Sequence, residues 1–182
     1  MLTYTELLGL LESGVIRGAA PAHVNAASID ITLGTTLLVE ASPGGGASVV
    51  DLMDKAVPGM RGIDLLHAGY YDLRPGEFCL AETVERFYLP NNLAANYYLK
   101  SSLARAGLDA ALAMWADPGW NASVLTLELV NNLRHHSLRL RPGMKIGQMV
   151  FHRGVEVPDH ASYAVRGRYN GDTQVQASKG VR

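Results

Sequence analysis

One carboxylate in this sequence lies inside an otherwise apolar segment, where burial would strongly affect its ionisation. The segment V-L-T-L-E-L-V, residues 124–130, carries Glu128 as its only charged residue. Side chains alternate between two faces in a strand, and both faces here are mainly apolar, which predicts a central, buried strand. An unpaired buried carboxylate has a raised pKa and can exchange protons near neutral pH. Glu128 is therefore a candidate catalytic residue, with a structural pairing to an arginine or a subunit contact as the alternatives.

A second group of residues has the composition of a phosphate site. Residues 100–105, K-S-S-L-A-R, follow a strand-like segment and supply two cationic side chains, two hydroxyls and several backbone N–H groups. If Ser101 opens a short helical turn, Arg105 lies four residues further along on the same side. Polyphosphate oxygens accept hydrogen bonds from such Arg and Ser donors. A capped surface turn with solvated charges is the alternative.

Other motifs are weaker or absent from the sequence. D-P-G-W at residues 117–120 is typical of a turn, and Asp117 could also bind a ligand hydroxyl. The six histidines show no spacing typical of metal ligands, and the sequence contains no Walker A or G-x-S-x-G motif. Cys79 is the only cysteine, which excludes an intrachain disulfide and a cysteine-rich zinc site.

The elements that must position these candidates are mainly strands. A short amphipathic helix is predicted at the start, with Thr3 and Glu6 as a capping box. Gly34 is expected to close the first strand, and residues 51–70, rich in glycine, are expected to be irregular. The regular spacing of the strands is typical of an all-β sandwich or barrel. The predicted strands cover residues 28–33, 36–40, 77–84, 95–99, 124–130 and 144–151.

Composition narrows the class of protein further. The chain of 182 residues is long enough for one domain, and we see no linker that divides residues 1–182. A formal net charge of -1 provides no general attraction to a nucleic-acid polymer. We find no apolar run of membrane-spanning length and no signal peptide, so we expect a cytoplasmic protein without a membrane partner.

Several motifs, in order along the chain, resemble the dCTP deaminase and dUTPase family, and dCTP deaminases most of all. The earlier ones are N-A-A-S-I-D-I-T-L-G (25–34) and L-R-P-G-E-F-C-L-A-E-T-V-E (73–85). The central ones are S-S-L-A-R-A-G-L (101–108), D-P-G-W (117–120), L-T-L-E-L-V-N (125–131) and R-P-G-M-K-I-G-Q-M-V-F (141–151). R-Y-N-G (168–171) and A-S-K (177–179) resemble the family's tail. The similarity therefore touches most of the chain.

This resemblance implies a distorted jelly-roll, dUTPase-like β-barrel and a homotrimer with active sites between subunits. It implies Mg²⁺ bound through the nucleotide triphosphate, and no zinc. Glu128 would take a proton from water and pass it to the cytosine ring and the leaving ammonia, with Ser101 and Arg105 orienting the site. Asp117 would contact the deoxyribose 3′-hydroxyl. The substrate-binding candidates that the resemblance implies are Lys100, Ser101, Ser102, Arg105, Asp117, Gln148, Arg168, Tyr169 and Gln174.

The sequence departs from the family pattern at three places. Lys100 stands where the family usually has Arg, and Asp172 where a Gln is usual. Residues 109–116, D-A-A-L-A-M-W-A, replace an H-V-T-A-type segment that lines the base. A space beside Glu128 filled by Met114 and Trp115 would argue against catalysis.

Three functions follow from these observations. The leading hypothesis is a dCTP deaminase that makes dUTP and ammonia, alone or together with dUTP diphosphatase activity. The first alternative is a dUTPase-like nucleotide pyrophosphatase. The second is a non-catalytic trimeric assembly protein, for example in a virion.

Overall fold

Strands dominate the computed structural model, which describes residues 1–44, 49–52, 57–110, 113 and 115–180. The strands are β1 (Ile16–Arg17), β2 (Ile29–Glu40), β3 (Met60–Asp64), β4 (Tyr71–Leu73), β5 (Phe78–Phe87), β6 (Leu93–Leu99), β7 (Leu108–Ala110), β8 (Trp115–Ala116), β9 (Ser123–Asn131), β10 (Leu138–Leu140) and β11 (Lys145–Arg153). The helices are α1 (Tyr4–Glu12), α2 (Leu65–Ala68), α3 (Ser101–Arg105) and α4 (Tyr163–Arg166), with short 3-10 turns at Pro21–His23 and Asp159–Ala161. The predicted all-β class with a short N-terminal helix is confirmed.

The strands pair antiparallel, and most of them form one sheet. Its order is β7-β9-β5-β2-β11-β6-β8, with β1 added to β5 and β3 added to β2. β4 and β10 pair separately. Long strands from distant parts of the sequence therefore lie side by side, which places Glu128 on β9 directly opposite Leu80 on β5.

The core is built from the alternating faces of these strands. On β9, Leu127 and Leu129 are almost fully buried, whereas Glu128 and Thr126 on the opposite face are half-buried. The long strands β2 and β11 contribute further apolar side chains to the same cluster, and α1 adds Leu7. The predicted division of the segment 124–130 into two faces is confirmed.

Helix α1 begins as its sequence predicts. Thr3 is the N-cap, and its backbone N–H donates to the Glu6 carboxylate at 3.0 Å, which completes a capping box. Leu7 and Leu10 face the core. Among the described residues, no helix is long and apolar enough to cross a membrane.

Two expectations about local structure are wrong. Gly34 does not close the first strand, because β2 continues through it with an irregularity between Leu33 and Leu37. A Cβ at Gly34 would lie 2.5 Å from Cγ of Glu82, so the glycine allows that side chain to pack closely against β2. Residues 51–70 are not all irregular, since they contain β3, which pairs with β2, and α2. Residues 53–56 lie outside the described part.

Candidate active site

A cavity of about 500 Å³ lies over the face of β9 that carries Glu128. This volume lies within the range of small-molecule sites, roughly 300–1,000 Å³. Its walls combine aromatic and aliphatic side chains with a few polar groups. Its lining includes Trp115, Asp117, Trp120, Glu128, Tyr169 and Asp172.

Glu128 is a half-buried carboxylate that lines this cavity. Its carboxylate has no hydrogen bond or ion pair to any other residue in the described part of the chain. Burial raises the pKa of Glu128 to about 7, and only its own backbone N–H opposes the shift. A structural pairing with an arginine is therefore not what the described residues show. A carboxyl that titrates near neutrality can both accept and return a proton.

Asp117 lies in the same cavity, at the turn that joins β8 to β9. The backbone N–H of Trp120 donates to the Asp117 carbonyl at 3.1 Å, which closes the predicted turn. Gly119 has a φ of 87°, and a Cβ there would collide with the Ser162 hydroxyl. The Asp117 carboxylate is exposed, and its Oδ1 accepts a hydrogen bond of 2.7 Å from the indole N–H of Trp115. The turn thus presents one oriented carboxylate to the cavity.

The C-terminal tail forms another wall. The indole N–H of Trp120 donates to the Tyr169 carbonyl at 2.8 Å, and the backbone N–H of Val124 donates to the Asp172 carbonyl at 2.9 Å. The side chain of Asp172 is paired with Lys179 at 2.9 Å, so its negative charge is balanced within the tail. Tyr169 is the tail candidate that lines the cavity.

The tail is also fixed to the sheet beyond the cavity. The backbone N–H of Val175 donates to Oε2 of Glu82 at 3.0 Å, and the backbone N–H of Thr36 donates to Oε1 at 3.1 Å. Glu82 is 8% exposed, so this bond is shielded from water. One carboxylate on β5 thus connects the tail to β2.

The predicted phosphate cluster lies elsewhere on the molecule. Ser101 begins α3, as predicted, and Ser101, Ser102 and Arg105 are exposed. Lys100 forms an ion pair with Asp30 on β2, with 2.6 Å between Nζ and Oδ1. None of these four cluster residues lines the cavity.

Asp30 is compensated from several sides. Besides Lys100, its carboxylate accepts hydrogen bonds from Lys145 Nζ at 2.9 Å and from the Asn25 side-chain amide at 2.8 Å. Burial alone would raise the pKa of Asp30, but the hydrogen bonds from Lys100, Lys145 and Asn25 outweigh it and lower the pKa to about 2. Asp30 therefore stays ionised and holds two lysines beside α3.

The remaining candidates are also outside the cavity. Gln148 lies next to Asp30 across the β11–β2 pair, and its side-chain oxygen accepts from the Ser28 hydroxyl at 3.3 Å. The Arg168 guanidinium donates to the Gly180 carbonyl, and Gln174 is exposed on the tail. The structure of one chain thus brings together Glu128, Asp117 and Tyr169, and separates them from the other candidates.

Residues 109–116, which depart most from the family pattern, are only partly described, and some of them line the cavity. Trp115 lines the cavity and leaves its volume open. Met114, with residues 111 and 112, lies outside the described residues. Among the described residues, no three His, Cys, Asp or Glu side chains are grouped to hold a metal ion. The expected Mg²⁺ is one carried by the triphosphate and stays a prediction.

Sequence reasoning missed Asp30, Lys145 and Glu82 as parts of these two regions. Asp30 lies in the segment S-I-D-I-T-L, where it is the one acid between apolar residues. That is the same signal that singled out Glu128, so it could have been found. Its two lysine partners lie 70 and 115 residues away, and local spacing carries no information about them.

Known proteins similar to this chain agree on one family. The model of the family described as dCTP deaminase-like matches residues 1–154. A dCTP deaminase, dUMP-forming, from Methanoregula boonei is 41% identical over 133 residues, which cover 72% of this chain and 69% of the relative. A protein of the same name from Aquifex aeolicus is 34% identical over 182 residues, covering 98% of this chain and 94% of the relative.

Solved structures support the fold. A 2′-deoxycytidine 5′-triphosphate deaminase from Agrobacterium tumefaciens superposes with a TM-score of 0.65 at 23% identity. The match covers 84% of this chain and 47% of that one. A dUTPase of phage phi11 of S. aureus gives a TM-score of 0.50 at 14% identity, over 79% of this chain and 86% of that one. The expected dUTPase-like fold is confirmed, and the chain belongs to the dCTP deaminase-like family.

Proposed function

We propose that this protein is a dCTP deaminase that uses Glu128 as its proton-transfer group. The observation that carries the proposal is an unpaired, half-buried carboxyl with a pKa of about 7 in a cavity of about 500 Å³. The names of the relatives from Methanoregula boonei and Aquifex aeolicus support the choice of dCTP.

The chemistry needs one group that changes its protonation state during the reaction. Ionised Glu128 takes a proton from water, and the water oxygen forms a bond to C4 of cytosine. The protonated carboxyl passes this proton to N3 of the ring. It then takes the remaining proton from the new C4–OH group and gives it to the amine, so that the C4–N bond breaks, C4=O forms and ammonia departs. A pKa near 7 suits both steps, because neither form of the carboxyl is then strongly disfavoured.

A second reaction in the same cavity fits the relatives' names. Both relatives are dUMP-forming, so we infer that this chain also removes pyrophosphate from the deoxyuridine nucleotide. Asp117 supports this inference, because its exposed carboxylate lies in the same cavity as Glu128 and can accept a hydrogen bond from the 3′-hydroxyl of the sugar.

The phosphate-binding residues are proposed to come from a neighbouring copy of the chain. Ser101, Ser102 and Arg105 are exposed and do not line the cavity of their own chain, although they have the composition of a phosphate site. A homotrimer, in which α3 of one copy faces the cavity of the next, would join the two regions, with Mg²⁺ held through the triphosphate. A nucleotide substrate and the single buried thiol of Cys79 fit a cytoplasmic enzyme.

Product analysis tests the activity directly. The protein is incubated with dCTP and Mg²⁺, and ammonia, pyrophosphate, dUTP and dUMP are quantified. We expect ammonia and pyrophosphate in equal amounts from the parent protein, and loss of ammonia release in Glu128→Gln. Glu156→Gln is the matched control, because Glu156 is exposed and outside the cavity.

Each alternative has its own result in this assay. Ammonia with accumulating dUTP indicates deamination alone, and pyrophosphate from dUTP without any ammonia indicates a nucleotide pyrophosphatase. No product from any cytosine or uracil nucleotide would overturn the proposal and favour the assembly protein. The relatives' names, all of enzymes, argue against that last alternative.

Mixing two inactive variants tests the shared site. Glu128→Gln and Arg105→Ala are each expected to be inactive or weak, whereas mixed oligomers would contain some sites with both residues intact. Recovery of ammonia release after subunit exchange supports a site built from two copies. Absence of recovery in oligomers shown to be mixed contradicts it.

A further inference from the structure

The side chain of Trp115 is fixed on two sides at the edge of the cavity. Its strand β8 pairs with β6, opposite Asn96. Its indole ring stacks on His152, with 6.4 Å between ring centroids and 28° between ring planes. Although 56% of the residue is exposed, the indole N–H points at Oδ1 of Asp117, 2.7 Å away. An exposed tryptophan is thus held in one orientation by a ring and a carboxylate.

This hydrogen bond determines which carboxylate oxygen is available to a ligand. An indole N–H can only donate a hydrogen bond. It therefore occupies one carboxylate oxygen and does not itself accept a hydrogen bond from a ligand hydroxyl. In the described part of the chain, Trp115 is the residue that bonds to the Asp117 side chain. Oδ1 is therefore engaged, and Oδ2 stays available to accept a hydrogen bond from a hydroxyl in the cavity.

Without that bond, no other side chain in the described part of the chain would fix the Asp117 side chain. Asp117 is exposed, and the turn constrains its backbone but not its χ angles. A free carboxylate has to be ordered when ligand binds, and this ordering lowers affinity. A carboxylate already held by a charge-assisted bond does not carry that cost.

We propose that Trp115 is a positioning residue that makes Asp117 selective for nucleotides with a 3′-hydroxyl. The inference rests on the proposed function insofar as the ligand is a pyrimidine deoxynucleotide. Trp115 acts through Asp117, so its indole N–H, rather than its bulk, is the group that confers the selectivity.

The chain offers a matched control in the second tryptophan of the cavity. Trp120 also lines the cavity and also donates through its indole N–H, but to the Tyr169 carbonyl at 2.8 Å. Trp120→Phe removes an indole hydrogen bond of the same type at the same cavity and leaves the bond between Trp115 and the Asp117 carboxylate in place. Trp115→Phe keeps an aromatic ring against His152 and removes only the donor.

The experiment compares two ligands by calorimetry. Glu128→Gln is the background for every variant, so that dCTP is bound without turnover, and 2′,3′-dideoxycytidine triphosphate lacks only the 3′-hydroxyl. In this background dCTP is expected to bind about tenfold more tightly than the dideoxy analogue, as for a hydroxyl bonded to a charged group. Trp115→Phe should reduce that ratio of affinities to about twofold, mainly by weakening the binding of dCTP. Trp120→Phe should keep the ratio, even if both ligands bind more weakly.

The outcomes separate this inference from the proposed function. An unchanged ratio in a folded Trp115→Phe protein, checked by thermal unfolding, overturns the positioning role, as does a ratio near one in the background protein. If the parent protein releases no ammonia but the ratio of affinities in the Glu128→Gln background is as expected, deamination is overturned and the positioning role stands. If neither dCTP nor dUTP binds the parent, both ideas fail.

Discussion

Two acids in apolar strands of the same sheet, Asp30 on β2 and Glu128 on β9, have pKa values displaced in opposite directions. Asp30 is 4% exposed, yet hydrogen bonds from Lys100, Lys145 and Asn25 outweigh burial and lower its pKa to about 2. Glu128 is less deeply buried, but it has no such partners among the described residues, and its pKa rises to about 7.

The difference teaches that burial alone does not identify a reactive carboxylate. A compensated acid is a structural anchor, because removing its partners would leave an uncompensated charge. An uncompensated acid in an open cavity retains a protonation state that a ligand can change. Four predictions test this contrast and the separate phosphate cluster, in order of decreasing effect.

The largest effect concerns the pH dependence of catalysis. If ionised Glu128 with a pKa of about 7 is the general base, kcat/KM for dCTP at pH 5 should be roughly 100-fold lower than at pH 8. Steady-state ammonia release across this range measures it. The pH profile of Asp117→Asn should keep the same midpoint, and a flat profile in the parent protein would contradict the assignment.

The second prediction concerns Asp30 as an anchor. Asp30→Asn leaves the ammonium groups of Lys100 and Lys145 without their acid. Since both lysines are partly exposed, the expected loss in the free energy of unfolding is about 2 kcal/mol, below the value for a fully buried pair. Urea unfolding at pH 7 measures it, with Glu156→Gln as the unaffected control. A stability equal to that of the parent would show that Asp30 is not an anchor.

The third prediction concerns the exposed part of the phosphate cluster. Arg105 is exposed on α3, so Arg105→Lys should leave unfolding unchanged. The lysine keeps the charge but loses the forked donor, so KM for dCTP should rise about tenfold with little change in kcat. Kinetics at fixed Mg²⁺ would reveal this, and an unchanged KM would remove Arg105 from the proposed phosphate site.

The smallest effect concerns stability and pH. Because the folded-state pKa of Glu128 is raised from 4.5 to about 7, its contribution is fully present below pH 4.5 and is lost as the pH rises through about 7. Glu128→Gln removes this dependence, so between pH 5 and 8 the variant should lose about 1 kcal/mol less stability than the parent, allowing for solvent screening of a partly exposed group. Identical pH profiles of unfolding would contradict an unpaired Glu128.

The comparison also shows what a sequence can predict about this site. Strand periodicity was enough to place Glu128 on the face opposite Leu127 and Leu129, because alternation is a local property. The same periodicity could not distinguish Glu128 from Asp30, since the difference depends on lysines supplied by other strands. Gly34 was misjudged for a related reason, because the need for a glycine comes from Glu82 on a neighbouring strand.

The candidate site divides in the same way. The turn at Asp117 and the helical turn at Ser101 were predicted from local motifs, and both are present. Their placement on separate regions of one chain follows from long-range strand order, which no local motif encodes. The family resemblance supplied the expectation that a second copy completes the site.

Hydrogen bonds to Val124 and Glu82 fix the tail to the sheet at two points, Asp172 and Val175. Val175 lies three positions after Asp172, whose carbonyl is bonded to Val124, and an extended chain of that length spans at most about 10 Å. Four more residues reach Lys179, which closes back on Asp172. Changes of residue type within these spans leave the distances intact, whereas adding or removing one residue shifts every contact beyond the fixed point. We therefore expect this part of the chain to tolerate substitutions better than insertions or deletions.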